Sequence, residues 1–149
     1  TVEKVMNELV DRESDSKRFI RPQASHADLV LSLQPIHPHT LQDLDSTQKL
    51  RYKLTIISRH GLNEISLTRV LIGVCGLHVD VLTSENGDEV EIMIEGEVAA
   101  EDIALAAQMI CPRIFNFLDI HPKWQDGVIG IMQLITLSHI NHALMKRFI

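Results

Sequence analysis

Residues 79–95 read VDVLTSENGDEVEIMIE, and the pairing within this stretch decides the fold. Asn86 and Gly87 both tolerate positive φ, so they suit a two-residue type I′ loop whose twist matches that of its flanking strands. Centring a turn there fixes every cross-strand pair: Thr83 opposes Val90, Val81 opposes Ile92 and Val79 opposes Ile94. One face of the ribbon is then β-branched throughout, as a strand face laid on a core should be. Asp80, Leu82, Glu89, Glu91 and Met93 share the other face, which is acidic and half apolar. A slip of one residue would exchange the faces, so the register is strongly specified.

Two further strands precede the hairpin. Residues 28–34 alternate Leu29, Leu31 and Leu33 against Val30, Ser32 and Gln34, and Pro35 stops them. Residues 50–58 place Leu50, Tyr52, Leu54 and Ile56 on one face and Arg51, Lys53 and Thr55 on the other. If this second strand joins the hairpin's sheet, Arg51, Lys53 and Arg59 lie across from Asp80, Glu89 and Glu91. Exposed pairs of that kind are worth about 0.2 to 1 kcal/mol each, which selects a neighbour without holding the sheet together. Residues 36–49, IHPHTLQDLDSTQK, read as a loop with at most one helical turn at 40–44.

Helices fill the remainder. Asn63 caps a helix over 64–75, Leu62 staples against Leu67, and Gly76 ends it; Ile65, Val70, Leu71, Ile72 and Val74 make it apolar around most of its circumference, so it should be largely buried. A second helix begins near Ala99, with Glu97, Glu101 and Asp102 at its positive end and Ile103, Ala107, Ile110, Ile114 and Phe117 on one face; Pro112 breaks or kinks it. Residues 124–149 form the longest apolar segment. It has the length of a membrane span, but Gln133, Thr136, Ser138, His139, Asn141 and His142 interrupt it, so it reads as a helix outside the membrane. This helix carries two stripes, Ile129, Leu137, Ile140, Leu144 and Phe148 on one side and Ile131, Ile135, Ser138, His142 and Met145 on the other. A helix with two apolar faces needs two partners. At the other end of the chain, Val2, Val5, Met6 and Leu9 mark a short amphipathic helix that gives way to a charged, serine-rich and mobile segment.

The expected fold is therefore α+β, an antiparallel sheet with the hairpin 79–95 at its centre, covered by about three helices. Residues 1–20 form an amphipathic or flexible arm and residues 21–149 a single domain, in keeping with a length that suits one core. The net charge of −6 argues against extensive contact with nucleic acid, which requires a basic stripe. Two cysteines are too few for a disulfide framework and favour a reducing, intracellular (cytoplasmic) setting; no signal peptide is evident.

Chemistry is weakly marked. His37 and His39 flank Pro38 with Asp43 and Asp45 downstream, a donor set suited to zinc, but no further ligand has diagnostic spacing, and solvated loop histidines account for the pattern. His139 and His142 are one turn apart but lack the glutamate of an H-E-x-x-H site. Cys75 precedes His78 by three residues, a spacing that resembles a nucleophile beside its base; yet Cys75 lies at a helix carboxyl end, which disfavours a thiolate, and His78 pairs with Glu95 across the hairpin. No phosphate loop, dinucleotide fingerprint or nucleophile elbow is present. The reading is accordingly of no catalytic residue, no metal and no cofactor. What the sequence offers instead is surplus apolar helix surface. The expected function is a non-catalytic structural or assembly domain that self-associates within a virion, particle or complex. Its homo-oligomer interface is drawn from Ile131, Ile135, Leu137, Ile140, Leu144, Met145 and Phe148. The alternatives are an adaptor that binds another protein through the basic strand or the last helix, and a histidine- or metal-dependent hydrolase built on His37, His39 and Asp43.

Overall fold

The computed structural model describes residues 2–37, 51–59 and 62–147. Its frame is one antiparallel sheet of β1 (Leu29–Pro35), β2 (Tyr52–Arg59), β3 (His78–Thr83) and β4 (Glu89–Glu95), in the order β1-β2-β4-β3. Four α-helices accompany it: α1 (Val2–Asp15), α2 (Glu64–Gly73), α3 (Ala100–Ile110) and α4 (Gly127–Arg147). The fold is α+β, as expected, but the hairpin occupies one side of the sheet rather than its centre: β3 is an edge strand, and β4 pairs with β2.

The β3–β4 register is the one the sequence specifies, with Val79 opposite Ile94, Val81 opposite Ile92 and Thr83 opposite Val90. The turn differs. The Gly87 amide donates to the Ser84 carbonyl at 2.9 Å, so a four-residue turn closes over residues 84–87, and Gly87 takes φ +71°. A turn placed there needs one left-handed residue, supplied by Gly87, whereas the type I′ loop needs two in succession. The Ser84 hydroxyl completes the loop by accepting from the Glu89 amide at 3.1 Å.

On the core side, Leu54 and Ile56 of β2 and Ile92 and Ile94 of β4 are fully buried, and Leu29, Leu31, Val79, Val81 and Val90 pack around them. Leu67 and Leu71 of α2, Ile103, Ala106 and Ala107 of α3, and Ile131, Leu134 and Ile135 of α4 close the other side. Helix α2 starts as predicted, the Asn63 side chain accepting from the Ser66 amide at 3.0 Å. It is less buried than predicted: Ile65 and Ile72 are half exposed, because they lie on the side of α2 opposite the face that carries Leu67, Val70, Leu71 and Val74 to the core. Helix α3 ends at Ile110, ahead of Pro112; Ile114 is buried, but Phe117 is 60% exposed, because the chain has left the helical period by then. Asp126, far along the chain, caps α3 by accepting from the Ala100 amide at 2.8 Å.

The amino-terminal segment departs most from expectation. Helical structure does not stop at the serine-rich residues but continues through a π turn at Ser16–Ile20 and a 3₁₀ turn at Arg21–Ser25. Glu13 supports this continuation, pairing with Lys17 at 3.5 Å and Arg21 at 2.6 Å. Arg59 at the end of β2 fixes the foot of this run, its Nη1 donating to the carbonyls of Ala24 at 2.8 Å and Ala27 at 2.6 Å. The same guanidinium meets Glu89 at 2.8 Å, so one of the anticipated cross-strand charge pairs is present in the β2–β4 register.

Candidate functional site

The two stripes of α4 have different fates. Ile131, Leu134, Ile135 and Ser138 turn inward and are buried, and Met145 is partly buried. Ile131 and Ile135 are thus enclosed by their own chain, at 2% and 0% exposure, while the opposite stripe is more open. On that stripe Ile129 is 51% and Ile140 46% exposed, with Leu137 and Leu144 half-buried. Phe148 lies outside the described residues.

Ile129, Met132, Gln133, Thr136, Leu137 and Ile140 line one side of a groove of about 440 Å³, closed by Leu31 of β1 and by Pro122 and Trp124. The loop ahead of α4 is pinned to the helix by Gln133, whose Nε2 donates to the Lys123 carbonyl at 3.1 Å and whose Oε1 accepts from the Gln125 amide at 3.0 Å. That clamp positions Trp124, the single tryptophan of the chain. Pro122 and Trp124 also border a second hollow of about 400 Å³ toward α3, lined by Ala104, Gln108, Phe115 and His121; the Phe115 and His121 rings stack with centroids 6.0 Å apart. Among the described residues no lining residue of the first groove carries a charge, and the lining is mainly apolar.

Polar atoms on α4 are unevenly served. Ser138 and Thr136 donate back to the carbonyls of Leu134 and Met132 at 2.8 Å each. His139 Nδ1 and Asn141 Oδ1 are buried without a hydrogen-bond partner among the described residues. Burial lowers the His142 pKa, helped by the positive charge of Lys146 and by His139.

Among the described residues the candidate chemistry is not brought together. Cys75 is buried, its thiol 3.9 Å from the Asp102 carbonyl, and burial together with the Asp102 charge pushes its pKa up to about 11. His78 stands opposite Glu95 in the register, as expected, but its ion partner is Asp80 at 3.2 Å, two residues along the same strand face. Among the described residues no group of three or more His, Cys, Asp or Glu side chains is placed to hold a metal ion. His39, Asp43 and Asp45 lie outside the described residues. By length and composition α4 is the one helix among them apolar enough to cross a membrane, with mean hydropathy 1.3 over Gly127–Lys146. A core helix passes the same test, and the inward stripe of α4 is packed into the domain core. No family model matches the sequence, and no curated protein matches it.

Proposed function

We propose that this protein is a non-catalytic assembly domain that self-associates through the outer stripe of α4, in a reducing, intracellular setting. The observation that carries this reading is the half-exposed pair Ile129 and Ile140 on the rim of a groove whose described lining is uncharged. Contiguous exposed apolar surface marks interaction sites, whereas apolar residues scattered singly do not. A second copy is the simplest occupant, because a two-fold interface satisfies the same patch on both chains at once. Two free, buried cysteines accord with a reducing compartment.

Light scattering over a concentration series tests the proposal. The expected result is a mass above the 16.8 kDa of one chain for the wild type, and 16.8 kDa with an unchanged Tm for Ile140→Asp. Ile135→Asp, at a fully buried site, unfolds the protein. A wild type that stays monomeric to high concentration refutes the reading.

A further inference from the structure

We infer that the α4 groove is filled by helix α1 of a second copy, the two chains exchanging their amino-terminal helices; this rests on the self-association reading above. The chain holds two uncovered apolar surfaces, and they match. On α1, Val5, Met6, Leu9 and Val10 share a face and are 55%, 56%, 58% and 70% exposed. A helix of 14 residues with such a face is marginal in water and gains its stability from a surface to lie on. Ile129 to Ile140 run about 16 Å along α4 at 1.5 Å per residue, ample for the shorter stripe of α1.

Charge is compatible with this docking. Helix α1 carries five acids, Glu3, Glu8, Asp11, Glu13 and Asp15, against two bases, Lys4 and Arg12. Among the described residues none of the groove's lining is acidic. An acidic amphipathic helix therefore meets a mainly apolar floor whose described lining carries no negative charge to repel it. The helical run from Val2 to Ser25, rooted by Arg59, leaves the apolar face of α1 off its own domain, so the groove it reaches is a neighbour's. Leu31, two residues beyond the start of β1, lines the groove, so the root of one arm lies near the groove that receives the other. Reciprocal exchange closes the pair as a two-fold dimer.

Cross-linking and the fluorescence of Trp124 test this on the full chain. Leu9→Cys and Ile140→Cys are made in separate chains and mixed under mild oxidation, and also combined in one chain; the native cysteines are buried. The expected results are a disulfide-linked heterodimer from the mixture, a Trp124 emission that shifts to the red in Leu9→Asp, and dimer affinity at least tenfold weaker in that variant. A doubly substituted chain that cross-links only within itself overturns the exchange, since the arm then fills its own groove. Absence of any cross-link, with a dimer that Ile140→Asp still dissociates, also overturns it and leaves the self-association reading standing. A monomeric wild type removes both.

Discussion

Cys75 is kept inert by where it sits. Its thiol is buried beyond the carboxyl end of α2, beside Asp102, and with a pKa of about 11 roughly one molecule in a thousand or fewer is a thiolate at pH 7.5. Native protein should react with a thiol reagent at least a hundredfold more slowly than denatured protein, and Cys75→Ala should keep its oligomeric state; rapid stoichiometric labelling of the native form would contradict this. His142 gives a pH dependence. Its folded pKa lies below the unfolded value because burial, Lys146 and His139 disfavour the imidazolium, so the unfolded chain binds more protons as the pH falls through about 6.5. Stability is then retained above that range and lost below it. Thermal scans from pH 7.5 to 5 should show a smaller fall in Tm for His142→Gln than for the wild type; parallel curves would remove His142 from the account. The pairing of β3 with β4 was legible at this scale because period-two alternation names the partner of each residue. The roles of Arg59, Gln133 and Asp126 were not, since Arg59 reaches carbonyls 35 and 32 residues away and Asp126 an amide 26 residues away.

Helix boundaries were readable where a cap or breaker is local, as at Asn63 and Pro112, and misread where support comes from elsewhere. Residues 16–25 look like a loop by composition, yet Glu13 and its two cationic partners carry the helical run through them. For α2 the apolar count was right and the burial wrong, because hydrophobicity around a helix does not say how many neighbours it has. The two stripes of α4 were legible from periodicity; which one faces inward depends on the α3–α4 crossing. That crossing rests on Gly130. A Cβ there would collide with the Gln125 carbonyl oxygen and Ile103 Cδ1, so loop, α3 and α4 meet at a point that admits only hydrogen. Gly130→Ala should cost about 1 to 3 kcal/mol by overpacking, despite alanine's higher helix propensity, and is measured by urea unfolding. A neutral or stabilising result would mean that the crossing is looser than this.

Over the whole molecule, fold class follows from the sequence while strand order does not. Alternation identifies β1, β2 and the β3–β4 hairpin, but either hairpin strand could have taken β2 as its neighbour. The Arg59–Glu89 pair marks the choice of β4 without deciding it, since an exposed pair is worth at most about 1 kcal/mol. Burial decides it, Ile92 and Ile94 of β4 being fully enclosed between Ile56 and Leu54 of β2 on one side and Val81 and Val79 of β3 on the other. The order β1-β2-β4-β3 also has a consequence in time. The strand that completes β2 is made last, with 30 residues separating Arg59 from its partner Glu89. At the usual pace of synthesis that interval lasts about 2 to 6 s, far longer than the microseconds a hairpin needs to close. A nascent chain therefore holds half of its sheet with one row of amides and carbonyls open, waiting for a strand that arrives already folded back upon β3.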